Sequence, residues 1–337
     1  MGMLIRLFVA GMVAACFQLP VMAAQLVFEE DGLVLGLDQN APLGRIADIA
    51  LDSKGRIYVL DAGFTTVRRY LADGTHDTDL GREGEAPGEF YSPRAIAVSP
   101  DDRLFVAGGS GVITVINPDG TPGESIQNPV SGGVRSMIFA PDGTLFVVAA
   151  DVYRKEVIHA FSPPSLEYDR SFCDLRGTRT DAVAMASAAA YGGGFIDTDG
   201  DFLYFVRQTP QEILVFTFAG ELVSQFATRY TRSPPKPEAS GGVITLRMPE
   251  MTTFAVSLGQ GRILTALFTP SEKEGESGSS VVDLIDAKKE RIIASREDGA
   301  GAFKVVDSEG RVYGVSTRED AEGETVPVVV RARVAVN

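Results

Sequence analysis

One phrase recurs along this chain: a short apolar strand, a turn built on Asp and Gly, and a second apolar strand. The copies are IALDSKGRIYVLD (49 to 61), IAVSPDDRLFVAG (96 to 108), MIFAPDGTLFVVA (137 to 149), FIDTDGDFLYFVR (195 to 207), FAVSLGQGRILTAL (254 to 267) and KVVDSEGRVYGVS (304 to 316). Such a period limits the fold more than composition can, because each copy is one supersecondary unit that must stack on its neighbours to bury its apolar face. The first and last copies are almost the same phrase, with Asp52, Ser53, Gly55, Arg56 and Tyr58 answered by Asp307, Ser308, Gly310, Arg311 and Tyr313.

The turns obey local chemistry: Asp or Ser bonds back to the chain, and Gly takes the positive φ that a tight hairpin demands. After several copies a second hairpin follows, as in VRRYLADGT (67 to 75), ITVINPDGT (113 to 121) and ILVFTFAGE (213 to 221), so each unit holds four strands. Four-stranded units of roughly 40 to 60 residues predict an all-β fold, a six-bladed β-propeller of four-stranded antiparallel blades. LVFEEDGLVLGL (26 to 37) stands outside the six phrases. It is expected to complete the last blade beside VPVVVRARV (326 to 334), closing the ring and removing its open edges.

The stretch GREGEAPGEF (81 to 90) followed by SPRAIAVSPDDRLFVA, together with GRIYVLDAGFTTVRRYLADG in the unit before it, resembles the NHL-type repeat and its bacterial six-bladed relatives. The resemblance is strongest over 44 to 161, fair at 195 to 222 and 303 to 316, and weak at 240 to 295, where the turn phrase degenerates. It implies a fold and no particular activity, because this architecture hosts lyases, lactonases, receptor modules and scaffolds alike. The glycines of GREGEAPGEF do not form a phosphate loop. Such a loop needs a helix starting directly behind it, and strand, turn, strand follows here. In the related repeats this stretch carries the chain from the outer strand of one blade to the inner strand of the next. Gly84, Pro87 and Gly88 then allow the sharp path and Phe90 packs between blades.

Residues 1–24 read as a secretion signal: Arg6, an apolar run of about a dozen residues, Pro20, then small residues fit for cleavage near Ala23 or Ala24. The alternative is a lipobox at Val13, Ala14, Ala15 and Cys16, with lipidation of Cys16. The rest, 25–337, is expected to be a single propeller domain. Without the leader, Cys173 is the remaining cysteine, which excludes an intramolecular disulfide and a thiolate-rich metal site. A formal charge of −14 disfavours nucleic acid and anionic membrane surfaces, and no second apolar run reaches the length that crosses a bilayer.

Propeller enzymes that place metal ligands around the axis draw mostly on His, Asn, Asp and Glu. This chain has two histidines, His76 and His159, both expected on outer strands or turns. Asn117 falls in an INPDG turn, Asn128 in a linker and Asn337 at the last position. There is no GxSxG elbow for a nucleophilic serine, and there is no Trp. Asp61 reads as a carboxylate bonding turn amides, with a catalytic role as the alternative. No cofactor and no metal are expected. Two segments break the repeat, small-residue-rich 181 to 194 and basic, proline-rich 227 to 242, and insertions of this kind map to loops on a face.

The alignment of the six phrases places Arg94 and Arg135 at the starts of inner strands and Arg207 at the end of a second strand, all near one mouth of the channel. Clustered guanidinium groups suit a carboxylate or phosphate ligand, unless Glu83, Glu85 or Glu89 neutralise them. The functional expectation is a periplasmic or secreted propeller, without catalysis, that binds a protein, peptide or small anion through Arg94, Arg135 and Arg207. The rival is a carboxylate- or metal-dependent hydrolase or lyase of the lactonase type, with its acids spread over several blades.

Overall fold

The computed structural model describes residues 24–38, 41–109, 111–128, 130, 133–149, 155–174, 193–229, 238–240, 243–245, 248–271, 273, 276–297 and 302–337. Among these residues the secondary structure is all strand, with no helix. The first sheet runs β2 (Ile46–Leu51), β3 (Ile57–Asp61), β4 (Thr66–Tyr70), β5 (His76–Leu80). The second runs β6 (Pro93–Val98), β7 (Leu104–Gly108), β8 (Val112–Ile116), β9 (Ile126–Gln127). The third is β10 (Val134–Phe139), β11 (Leu145–Ala149), β12 (Glu156–Ser162), β13 (Glu167–Asp174), and the fourth β14 (Gly194–Thr198), β15 (Leu203–Arg207), β16 (Ile213–Phe216), β17 (Leu222–Phe226). A short pair, β18 (Glu238–Ser240) and β19 (Val243–Thr245), follows.

The remaining strands form one eight-stranded sheet. It starts with β20 (Met251–Gly259), β21 (Arg262–Thr269), β22 (Ser279–Asp286) and β23 (Arg291–Glu297). It continues through β1 (Ala24–Leu35), β26 (Thr325–Val336), β25 (Arg311–Glu319) and β24 (Phe303–Val306). Its two halves meet at a short parallel seam, Ala24 beside Ala294 and Gln25 beside Ser295. On its other side β1 pairs antiparallel with β26, from Leu26 opposite Val336 to Leu35 opposite Val329.

Burial within each sheet follows position. The second strands β3, β7 and β11 are buried at every residue, and they read as unbroken apolar runs because a neighbouring sheet covers each of their faces. The fourth strands β5 and β17 are mostly polar or exposed, since they form the rim. The core therefore lies between sheets. Tyr58, Leu60 and Val67 of the first sheet pack on Leu104, Val106 and Ile116 of the second, and Phe105 packs on Phe139 between the second and third. Phe146 and Ile158 meet Phe205 and Phe216, and Tyr204 and Ile213 meet Ile263 and Ile285. Phe254 and Leu264 meet Phe303 and Val312, and Tyr313 and Val329 return to Ile57 and Val59. The interfaces thus run in a closed circuit.

The near-identical first and last phrases fold into the same network. Asp52 accepts the backbone N–H groups of Lys54 and Arg56 (both 2.9 Å), the Arg56 guanidinium and the Tyr58 hydroxyl (3.1 Å). Asp307 does the same for Glu309, Arg311 and Tyr313, whose hydroxyl lies 3.2 Å away. Gly55 and Gly310 take φ values of 73° and 76°, where a side chain would be strained. Residues 81–90 connect rim strand β5 to β6. The Phe90 ring is buried between the first two sheets, and Gly84 donates its N–H to the Phe90 carbonyl at 3.0 Å.

Candidate functional site

The first strands of the sheets, β2, β6, β10, β14, β20 and β24, lie each against the next and surround a central cavity of about 260 Å³. One end opens into a wider mouth of about 380 Å³, lined by Arg45, Ser92, Arg94, Arg135, Phe195 and Gln208 among others.

Arg94 and Arg135 reach this mouth by one device. In β6, Pro93 pairs with Gly108 and Ala95 with Ala107, leaving Arg94 as an extra residue. In β10, Val134 pairs with Ala149 and Ser136 with Val148, leaving Arg135 likewise. A bulge unpairs one residue, bends its strand and re-aims that side chain. Lys304 occupies a bulge of β24 that lies nearer its turn, between Phe303 opposite Gly314 and Val305 opposite Tyr313, and it too lines the cavity. Small neighbours make room: the Arg94 guanidinium lies against Gly133, and the Arg135 side chain against Gly193.

Neither Arg94 nor Arg135 has a carboxylate within ion-pair distance among the described residues. Both side chains are exposed at the mouth; partial desolvation of Arg135, with the like charge of Arg94 close by, lowers its guanidinium pKa. Arg207 goes elsewhere. At the end of β15 its guanidinium pairs with Glu212 at 3.0 Å, and it is not among the residues lining either cavity. Its charge is instead felt by Cys173, a free half-buried cysteine whose thiol is pushed up to about 12 by burial. Arg45 takes the third place at the mouth. Of the acids expected to neutralise the arginines, Glu89 is held by Arg82 and by the Ala86 N–H (3.0 Å). None of Glu83, Glu85 or Glu89 reaches Arg94, Arg135 or Arg207 among the described residues.

Deeper in the cavity stand two carboxylates from separate sheets. Asp48 of β2 accepts the N–H groups of Ile49 and Ile96, both at 3.0 Å. Asp197 of β14 accepts those of Thr198 (2.8 Å) and Ser257 (2.7 Å). Each thus ties its own strand to the first strand of the next sheet. Both are only partly exposed, and to the narrow channel, so desolvation dominates their titration and raises both pKa values. Asp197 rises to about 6 despite its two amide donors, and the nearby charges of Asp199 and Asp48 push the same way. The charge of Lys304 partly offsets the rise at Asp48.

The other sequence candidates are structural. Asp61 is fully buried and accepts the N–H groups of Gly44 (2.7 Å), Gly63 (3.0 Å) and Phe64 (3.3 Å), with Arg68 beside it. His76 sits on rim strand β5 against Asp79, and His159 is buried within the third sheet. No group of three or more His, Cys, Asp or Glu that could hold a metal occurs among the described residues. The leader with Cys16, and most of 181 to 194 and 227 to 242, lie outside the described residues.

No protein-family profile and no curated protein matches the sequence. Solved structures do match. A member of the duf4221 family from Bacteroides vulgatus ATCC 8482 aligns with TM-score 0.62 at 12% identity, over 94% of this chain and 99% of that one. A protein of Bacteroides fragilis NCTC 9343, whose name assigns it to export, aligns at 0.56 and 9% identity, over 92% and 96%. Virginiamycin B lyase from Staphylococcus aureus aligns at 0.51 and 10% identity, over 90% and 87%. The fold is a β-propeller. At such identities the likeness carries the architecture alone, so what this propeller does must be argued from its channel. Among the described residues no helix is long and apolar enough to cross a membrane.

Proposed function

We propose that the chain is a secreted, six-bladed, NHL-like propeller that binds an anionic group of a small ligand, peptide or partner protein at its channel mouth and has no catalytic activity of its own. Six first strands around the cavity, and core clusters that link consecutive sheets in a circuit, support the blade number. On this reading the eight-stranded sheet is two blades joined at the β1 seam. Together they form a single domain, 25–337, whose ring is closed by β1 on β26. The leader-like residues 1–24, and the name of the Bacteroides fragilis neighbour, support export to the periplasm.

One observation carries the binding reading: Arg94 and Arg135 face one open cavity as close like charges with no acid to neutralise them among the described residues. Like charges held close together at an exposed mouth are a modest standing cost, which a carboxylate or phosphate between two guanidinium forks would relieve. Arg45 and the Gln208 amide extend the grip; Arg207 does not belong to it.

Thermal unfolding of the mature protein with increasing phosphate or citrate at constant ionic strength tests this. Anions should raise Tm in the wild type and in R207Q, and leave it unmoved in the R94Q/R135Q double variant. An equal anion response in the double variant would overturn the assignment. A second reading, a hydrolase using acids of separate blades, draws on Asp48 and Asp197. It requires ester or lactone turnover that disappears in D197N, whereas the binding reading expects none in either protein.

A further inference from the structure

The charges in this channel are sorted by depth. Asp48, Ala95, Ser136 and Phe195 lie at one level, because each pairs with the penultimate residue of its second strand: Leu60, Ala107, Val148 and Val206. Arg94 and Arg135 come one residue before that level, toward the mouth, and Asp197 two residues beyond it. At about 3.3 Å per strand residue, the backbone of Asp197 lies roughly 7–10 Å deeper than those of the two arginines.

Opposite charges facing one cavity in a partly desolvated setting ordinarily collapse into ion pairs. Here they do not: among the described residues no arginine reaches Asp48 or Asp197 within ion-pair distance. The bulges hold the guanidinium groups at the mouth, and the amides of Ile49, Ile96, Thr198 and Ser257 pin the carboxylates below. Each pinned carboxylate oxygen keeps a lone pair for a further donor. Lys304 contributes charge to Asp48 without closing an ion pair, which leaves Asp197 the channel carboxylate with no cation beside it among the described residues.

Resting on the anion-binding reading, we infer that the ligand is a small zwitterion. Its acidic end is held at the mouth by Arg94 and Arg135, and its primary ammonium end lies deeper, against Asp197. A simple anion would sit above two carboxylates that repel it and leave Asp197 unmatched. A simple cation would have to pass the arginines. A molecule with both charges at its two ends meets each group with its complement, and the modest cavity limits it to amino-acid or short-peptide size.

Matched probes test the inference, with two variants beside the wild type. Binding of 4-aminobutyrate and 6-aminohexanoate is measured by calorimetry against butyrate and hexanoate, with hexylamine as the cation control. One of the two zwitterions should bind at least about tenfold tighter than its parent acid, and hexylamine should bind weakest. D197N should abolish the advantage of the amine while leaving the parent acid bound as before or better, and R94Q should weaken both. Should butyrate and hexanoate match their amino counterparts, or D197N weaken acid and zwitterion alike, the zwitterion inference is overturned and the anion mouth stands. Should none of the acids bind, with or without an amine, both fall together.

Discussion

Replacing Asp197 by Asn should remove a pH dependence that the wild-type protein carries through the mildly acidic range. In the folded chain the Asp197 carboxyl titrates at about 6 in place of its ordinary 3.8, because the channel desolvates it. The folded state therefore holds this proton more tightly than the unfolded chain does. The group destabilises the fold least at low pH, and stability is lost as pH rises from about 4 through about 6. A shift of about two units corresponds to roughly 3 kcal/mol, with a steepest slope of about 1.4 kcal/mol per pH unit. Asp48, raised by the same cause, slopes the same way. Asp101, Asp199 and Asp307 are lowered, held in their charged form by hydrogen bonds, and they slope oppositely, but beneath their ordinary value of 3.8. The range from about pH 4.5 to 6.5 thus isolates the channel acids. Urea unfolding of wild type and D197N across that range should give a difference that grows with pH, the wild type losing stability relative to the variant. Parallel profiles would refute the claim that burial in the channel governs this carboxyl.

Three further outcomes follow from the geometry. R135Q should be more stable than wild type by a few tenths of a kcal/mol at low salt in the absence of ligand, since it relieves a solvent-screened repulsion from Arg94, and the gain should shrink in high salt; a loss of stability by urea unfolding would count against an uncompensated pair. Gly108→Ala should cost about 2–3 kcal/mol, because a Cβ there would press on the Ser92 carbonyl and lie 2.7 Å from Pro93 Cα, whereas Gly200→Ala, with open space around it, should cost only the roughly 1 kcal/mol of its positive φ. Asp52→Ala and Asp307→Ala should each cost about 2–3 kcal/mol through the turn amides and buried hydroxyl they strand, and calorimetric melting that separated the two widely would contradict their shared network.

The hairpins were legible because their signals are local. Asp52 and Gly55, or Asp142 and Gly143, act within a few residues of where they stand, so six turn phrases point to the hairpins that begin at β2, β6, β10, β14, β20 and β24. The channel was half legible. Arg94 and Arg135 could be found by counting back from the turns, since their strands share one length and one bulge. The same counting points Arg207 toward the mouth, yet Glu212, across the short β15–β16 turn, takes its guanidinium. Lys304 escaped because its bulge lies nearer the turn, and a bulge leaves no mark in the sequence while reversing which face a residue presents. Nothing in the sequence singles out Asp48 or Asp197. What distinguishes them is the first strand of the next sheet, whose amides at Ile96 and Ser257 are 48 and 60 residues away.

The joint between β1 and β26 gives the ring a mechanical weak axis. Elsewhere the polypeptide itself runs from each sheet to the next, but here no covalent link crosses the joint, which is held by the hydrogen bonds of β1 to β26 and by the packing of Tyr313 and Val329 on Ile57 and Val59. Gln25 and Asn337 exchange backbone hydrogen bonds in both directions, at 2.9 and 3.0 Å, so the two ends of the joint lie side by side. A load drawing residue 25 away from residue 337 would not shear the strands along their length. It would peel them, opening one antiparallel pair at a time from Leu26 and Val336 inward, and the irregularity between Glu30 and Val34 would be the first obstacle it met. Tethered by those two ends, the propeller would yield at low force and uncurl blade after blade; tethered through two neighbouring rim strands, it would load the packed interfaces between sheets and hold.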